Sequence, residues 1–453
     1  MEKTELRAAA SLASVFSVRL LGLFMIYPVF ATLARHLSGA SPYTIGLALG
    51  IYGLTQGLLQ MPFGLLSDRL GRKRMIVFGL VLFGLGSAVA ASAHTIEGMI
   101  WGRALQGSGA VGAVILATVA DLTAEDNRTK AMALVGMTIG LSFLVAIVAG
   151  PLLGGWVGMS GIFWLMTGLA ALGIAITLFI VPVPPRPGVH RDAEAVPAMI
   201  GSTLRNRELL RLDFGIFALH AMLTASFLVV PALFAATLGM KARADWVVYL
   251  PVLLISVAVM VPVIIAAERL RRMKTALVTA AAVLAASQFM LAAGGADKWV
   301  LLAAVTLFFA AFNVMEASLP SLVTKIAPAA SKGTATGVYS SSQFLGIFVG
   351  GMAGGWVHQR LGAAAVFEGA GALALLWLLV AATMRRPSYL STRLVRIGSG
   401  ADAGRLSARL LQVPGVAEAV VVPEEGVAYL KVDSTRFDKQ QAETIAGGAN
   451  APA

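Results

Sequence analysis

The sequence predicts an all-α membrane protein of twelve transmembrane helices in two six-helix halves, with a small α+β domain at its C-terminus. Three observations predict it: an apolar composition, a series of hydrophobic runs of crossing length, and an internal repeat at a separation of 200 residues. Of 453 residues, 58% are hydrophobic and 13% charged, and the mean hydropathy is +0.81, far above an ordinary soluble domain. A helix needs about 20 apolar residues to cross a bilayer, so roughly 385 residues of such stretches and short loops hold about twelve crossings.

The runs fall at 12–34, 43–67, 75–93, 96–120, 131–156 and 162–181, and again at 213–238, 246–267, 275–293, 299–326, 334–357 and 364–384. Residues 1–181 are thus the N-terminal half, 182–212 a cytoplasmic linker rich in Pro and charge (Pro182, Pro184, Pro185, Pro187, Arg191, Asp192, Glu194), 213–386 the C-terminal half and 390–447 the tail domain. Short basic loops stay cytoplasmic. With the N-terminus inside, the inner segments through Arg386 hold 21 Lys and Arg and the outer loops hold five. Trp101, Trp156, Trp164, Trp246, Trp299 and Trp356 fall near outer span ends, where an amphipathic ring suits the interface. Both termini are therefore expected in the cytoplasm of a bacterial inner membrane, the first span being retained as part of the fold.

The repeat joins the halves. Gly150, Gly154, Gly155 and Trp156 recur as Gly350, Gly354, Gly355 and Trp356, and Asp68, Arg69, Leu70, Arg72 has a degraded counterpart in Glu268, Arg269, Leu270, Arg272. Duplicated halves around a central site are a transporter design.

After Pro387 the hydropathy changes period. Strands at 394–397, 417–422 and 428–432 and helices at 403–411 and 437–446 give a βαββα order of the ferredoxin-like kind, with the strand pair joined at Glu424, Glu425 and Gly426. The domain resembles heavy-metal-associated domains but lacks their thiol pair, so no metal is expected in it.

The net charge of +12 belongs to the membrane part, since the stretch after Arg386 holds seven basic and seven acidic residues. It reads as topology, with no nucleic-acid partner. The absence of cysteine excludes disulfides and thiolate sites. Five scattered His residues form no catalytic or metal constellation, and an enzyme is not expected.

The strongest local signal is Gly64, Leu65, Leu66, Ser67, Asp68, Arg69, Leu70, Gly71, Arg72, Lys73, a tight turn between apolar runs. Here the chain resembles the major facilitator superfamily, whose most diagnostic motif has this pattern in this loop; the resemblance runs through both halves to Met384. Gly64 and Gly71 permit close approach, and Asp68 is placed to accept from the N-terminal amides of a neighbouring helix. Arg72 then bridges Asp68 to Asp121, a latch for the outward-facing state. The plainer reading is a positive-inside loop with no moving part.

Arg103 to Gly107 in span four is similar to the family's second motif, which implies a membrane-embedded arginine aiding proton transfer; a charge at this depth needs a wet cavity or a partner. Gly107, Gly109 and Gly112 also match a dinucleotide fingerprint, but inside an apolar helix they read as packing. Gly150, Pro151, Gly154 and Gly155 in span five resemble the motif of the antiporter branch, with Pro151 bending the helix and the small residues packing against the other half. Ala146 departs from that motif's opening glycine.

The remaining in-membrane polar residues are expensive in hydrocarbon. Glu316 is the best proton carrier and His220 the second titrating group; their mutual pairing between helices is the plainer alternative. Arg19, Gln56, Gln60, Asn313 and Gln343 are expected to line the substrate cavity, with Arg19 free to bind an anionic substrate group, Glu316 or an aromatic face. The resemblance, tail included, is to proton-driven drug or metabolite exporters. It implies efflux of a small amphipathic molecule by alternating access, with no cofactor beyond the proton gradient and with substrate, protons and lipid as partners. Uptake by symport, and a sensor acting through a protein partner or self-association of the tail domain, are the competing readings.

Overall fold

The computed structural model describes residues 3–183, 195–328, 331–385, 390–398, 402–423, 426–433 and 436–447. The expected hairpin residues Glu424 and Glu425, the linker stretch 184–194 and the boundary at Arg386 lie outside them.

The first half opens with α1 (Lys3–Met25) and α2 (Tyr27–Leu33), separated at Ile26, where Pro28 in the first turn of α2 withholds a backbone donor. Next come α3 (Pro42–Leu70), α4 (Arg72–Ala91), α5 (Ile96–Ser108), α6 (Gly112–Asp121) and α7 (Glu125–Phe179). Ser41 and Thr44 form a capping box at the start of α3, and Thr95 caps α5, so the outer turns are written into local sequence. At Gly71, with φ +94°, the chain turns from α3 into α4. Gly158, at φ +67°, breaks α7; both positions favour a residue without Cβ.

The second half begins sooner than expected. Part of the linker is helical, as α8 (Pro197–Arg205), and Asn206 caps α9 (Arg207–Leu238) six residues before the predicted span. Then follow α10 (Trp246–Arg269), α11 (Met273–Gly294), α12 (Lys298–Ile326), α13 (Lys332–Leu361) and α14 (Ala363–Ala382). Among the described residues, nine helical segments are long and apolar enough to cross a membrane. The apolar part of α7 counts once in that set at 50 residues, although about 20 suffice for a crossing. The outside of the bundle is hydrocarbon-facing in character, with Leu58, Phe78, Trp101, Trp156, Phe179 and Leu379 all exposed.

The repeat seen in sequence is a repeat of contacts. Gly150 lies against the Met25 carbonyl and Gly154 against Val29, both on α1–α2 of the same half; Gly350 lies against the Ala221 carbonyl and Gly354 against Ala225, both on α9 of the same half. Gly155 and Gly355 instead face the opposite half, meeting Arg243 and the start of α3 respectively. The expectation that the span-five glycines pack against the other half therefore holds for Gly155 alone. One helical turn carries small residues on two faces, and only the third dimension assigns each face a neighbour.

Between the halves, α3 and α13 meet along a glycine seam. Gly46 faces the Gly351 carbonyl, Gly50 stands 2.7 Å (as a Cβ) from the Phe348 carbonyl oxygen, and Gly53 faces the Phe344 carbonyl. Spacings of four and three residues keep these glycines on one helical face, so two backbones approach without side chains between them.

The tail domain is β1 (Ser391–Arg396), α15 (Ala403–Leu410), β2 (Val416–Val422), β3 (Val427–Val432) and α16 (Lys439–Gly447). Its antiparallel sheet has the order β1-β3-β2, and Val395, Leu406, Leu410, Ala428, Leu430 and Ala446 form its own core. Lys431 on β3 donates to the Lys325 carbonyl at the end of α12 (2.6 Å).

Candidate functional site

Two buried polar clusters face the middle of the bundle, one in each half. In the first, Arg19 of α1 donates to the Tyr52 hydroxyl at 2.8 Å and to Gln56 Oε1, and Gln56 donates to Gln60 Oε1 at 3.0 Å. Tyr52, Gln56 and Gln60 follow at intervals of four on α3, one stripe of one face. A guanidinium sunk in an apolar bundle is tolerable here because planar donors find oxygen acceptors.

In the second cluster, His220 of α9, Glu316 of α12 and Gln343 of α13 converge. Gln343 Nε2 lies 2.9 Å from His220 Nε2 and donates to Glu316 Oε1 at 3.3 Å; His220 Nε2 is 3.8 Å from Glu316 Oε2. His220 is otherwise held from behind, Nδ1 being 3.3 Å from the Ile216 carbonyl of the preceding turn. Glu316 is half-buried, and its Oε2 has no hydrogen-bond partner. Asn313, one turn earlier on α12, also leaves Nδ2 unpartnered. Chemically this is a carboxylate beside an imidazole, bridged by an amide able to serve either, with unused capacity for a proton or a ligand donor.

Aromatic rings close the interface between the halves around these clusters. Phe143 of α7 stacks on Phe312 of α12 with centroids 5.8 Å apart, and Phe312 leans on His220 at 5.8 Å. Tyr27 of α2 meets Phe227 of α9 edge-on at 5.5 Å, and its hydroxyl is 3.4 Å from that of Thr224.

Arg103 is fully buried away from both clusters. It donates to Gln106 Oε1 at 2.6 Å and to the Ala48 and Leu49 carbonyls of α3 at 3.4 Å, with its carbon 4.8 Å from the Tyr52 ring centroid. Its link to the site is therefore Tyr52, which joins the two arginines. Gly107, Gly109 and Gly112 pack against Tyr52, Gly79 and Phe16.

At the far end of α3, Arg72 donates to Asp68, to Ser67 Oγ at 2.6 Å and to Asp121 Oδ2 at 2.8 Å, with its side chain and that of Asp121 removed from solvent. The expected bridge from Asp68 to Asp121 is thus formed. Among the described residues no α13 amide donates to Asp68; a crevice lined by Asp68, Gly64, Leu65, Gly333, Thr336 and Gly337 separates them. Arg69 stands exposed on the last turn of α3. In the second half the degraded counterpart has changed partners: Glu268 of α10 accepts from Lys325 of α12 at 2.5 Å.

The structure thus gathers Arg19, Gln56 and Gln60 in one group and Glu316, His220 and Gln343 in another, with Asn313 one turn from Glu316. Arg103 and the latch stand apart. Arg19 makes no ion pair with Glu316 among the described residues. Tyr52 is the member that sequence reasoning missed, although its place one turn before Gln56 on the same face was a usable signal. Asp213 and Tyr339 were missed too: both are buried, with Asp213 Oδ2 and the Tyr339 hydroxyl lacking partners. Among the described residues no group of three or more His, Asp and Glu is arranged to hold a metal ion.

Comparison with known proteins decides the family. The Major Facilitator Superfamily profile matches residues 12–351, and the YajR YAM domain profile matches residues 396–446. The chain belongs to the Major Facilitator Superfamily. It is 44% identical over 446 residues to the inner membrane transport protein YajR of Escherichia coli K12, covering 98% of both chains. It is 32% identical over 178 residues to multidrug resistance protein 2 of Bacillus subtilis, covering 38% of this chain and 42% of that one. A crystal structure of the nucleoside transporter NupG superposes with a TM-score of 0.63 at 14% identity, covering 84% of this chain and 99% of that one, a likeness of fold alone. As a member of the Major Facilitator Superfamily this chain is a multi-pass inner-membrane transporter and not an enzyme.

Proposed function

We propose that the protein is a proton-coupled exporter of small amphipathic molecules that works by alternating access. The observation that carries this reading is the His220–Gln343–Glu316 cluster. A half-buried carboxylate with one unpartnered oxygen, 3.8 Å from an imidazole and bridged to it by an amide, is a place where a proton and a substrate donor compete. Arg19 with Gln56 and Gln60 presents the polar wall of the opposite half.

Protonation of Glu316 from outside weakens substrate binding and favours release outward; deprotonation on the inner side resets the carrier. Export is supported by similarity to a multidrug resistance protein over 38% of the chain and by Gly150, Pro151, Gly154 and Gly155 of α7. Twelve crossings follow if α7 passes twice, folding at Gly158, and if the glycine-rich α3 and α13 also cross. On this reading both termini are cytoplasmic, the tail is a ferredoxin-like domain set on the inner end of α12, and the proton gradient is the only driving cofactor.

The test is substrate-triggered proton release from everted vesicles, across a panel of toxic cations and amphipathic drugs, comparing the native chain with Glu316→Gln. Release in the native protein and none in the variant is expected. Release with unchanged pH dependence in the variant removes Glu316 as carrier.

A further inference from the structure

We infer that Asp213 and Tyr339 form a proton-release limb joining Glu316 to the linker-side surface of the second half. This rests on the proposed role of Glu316 and adds the path by which its proton leaves.

The two residues lie near the starts of neighbouring helices. Asp213 lies six residues into α9 and Tyr339 seven into α13, so each stands about 10 Å from the start of its helix at 1.5 Å per residue. The helices run parallel and in fixed register, Gly346 against Phe217, Gly350 against Ala221 and Gly354 against Ala225. That register sets Asp213 beside the turn of α13 that begins at Tyr339 and ends at Gln343. Two turns further along α9 is His220, and one turn further along α13 is Gln343, the residues already bonded to one another and to Glu316.

The chemistry of these groups is unfinished in a way that packing alone does not explain. Asp213 and Tyr339 are buried, yet Asp213 Oδ2 and the phenol of Tyr339 have no hydrogen-bond partner. Buried polar atoms are nearly always satisfied, and orphans mark a functional site or an unseen water. The phenol lies within electrostatic reach of both carboxyl groups, Glu316 on α12 and Asp213 on α9. Asp213 has no cationic partner among the described residues. Tyr339 of α13 lies within electrostatic reach of it, and Gly215, two residues on, packs against the Trp377 ring of α14. On its own helix are His220 and the Arg211–Glu208 pair, which is closed on itself toward the surface.

An acid, a phenol and an acid in this order relay a proton without net change at the phenol. Because the phenol hydrogen-bonds to neither carboxyl group, each transfer runs through an intervening water: the O–H bond at Glu316 breaks as water passes a proton on to Tyr339, the O–H bond of Tyr339 breaks as it passes its own proton through water to Asp213, and Asp213 then gives its proton to water at the helix start. Tyr339 and Asp213 act on the proton and not on substrate.

The experiment is a pH jump on the purified full-length protein in liposomes, followed by time-resolved infrared absorption of the carboxyl C=O band. The component lost in Glu316→Gln is assigned to Glu316. In Asp213→Asn and in Tyr339→Phe that component keeps its equilibrium amplitude but relaxes at least about tenfold more slowly, and Asp213→Glu restores most of the native rate. Relaxation at the native rate in both Asp213→Asn and Tyr339→Phe overturns the limb. If no component depends on Glu316, the carrier assignment itself falls and the limb with it. Should Asp213→Asn not fold, Tyr339→Phe alone decides.

Discussion

The two halves share an ancestry of contacts and differ in how well their buried polar groups are satisfied. In the first half Arg19, Tyr52, Gln56 and Gln60 form one hydrogen-bonded set, Arg103 and Gln106 form another that touches it only through the Tyr52 ring, and Arg72 is gripped by three acceptors. Unpartnered buried atoms are more numerous in the second half, at Asp213, Asp245, Tyr249, Asn313, Glu316, Ser318, Tyr339 and His358, whereas the first-half cluster leaves only Nε of Arg19 without a partner. A satisfied network holds one geometry; an unsatisfied one holds places for something that comes and goes. On the proposed mechanism the contrast gives the first half the role of scaffold and cavity wall, and the second half that of proton handling.

The sharpest way to break this comparison is to neutralise one member on each side. Glu316→Gln is expected to lower substrate-coupled proton flux on the order of a hundredfold, whereas Gln60→Leu leaves the pH dependence of flux unchanged and alters only apparent substrate affinity. Comparable loss of proton coupling in both variants would erase the division of labour.

Arg72→Met breaks the buried ion pair with Asp121, a loss of about 3–5 kcal/mol for a buried pair. Thermal unfolding in detergent is expected to show the first half melting earlier. Glu268→Gln, at the half-exposed counterpart, produces a far smaller shift.

Next in size is the glycine seam. Gly46→Val drives a side chain into the Gly351 carbonyl, and overpacking of this kind costs about 1–3 kcal/mol. Cross-linking rates between α3 and α13 fall while each half keeps its own packing.

The smallest effect belongs to the tail. Lys431→Met removes the bond to the Lys325 carbonyl, worth about 1–2 kcal/mol, and frees the tail from α12 while leaving the tail sheet intact. Burial, together with nearby Lys332 and against the pull of Glu418, lowers the Lys431 ammonium below its usual 10.5. The undocked or unfolded chain therefore keeps its proton to higher pH than the docked one. Docking strengthens as pH rises from the lowered value toward 10.5 and is weakest below that window. Fluorescence transfer between tail and α12 measures this, and Lys431→Met abolishes the pH dependence.

Much of this architecture was legible because lipid makes hydropathy and charge decisive. Asp68, Arg72 and Asp121 were readable as one cluster since charges at the ends of apolar helices have few other partners, and Glu316 and His220 since titratable groups within apolar runs are rare. Tyr339 was not readable, since a tyrosine in an apolar helix looks like packing until its hydroxyl is located; Tyr52 was, through its place one turn before Gln56. Asp213 escaped for a different reason. It sits where the helix enters the apolar run, and only the early start of α9 at Arg207 shows it to be well inside the helix. The division of the span-five glycines between two neighbours was hidden because a helix with small residues on two faces has no phase in sequence alone.

The seam between α3 and α13 also bears on speed. Where two helices interlock by branched side chains, sliding one past the other requires rotamers to unseat and reseat, and each step adds a barrier. Backbones in direct contact at Gly46, Gly50 and Gly53 present a nearly smooth rail instead. Such a joint behaves as a bearing that offers little resistance to shear, so that on the proposed mechanism the resistance to motion lies with the charged groups outside the seam.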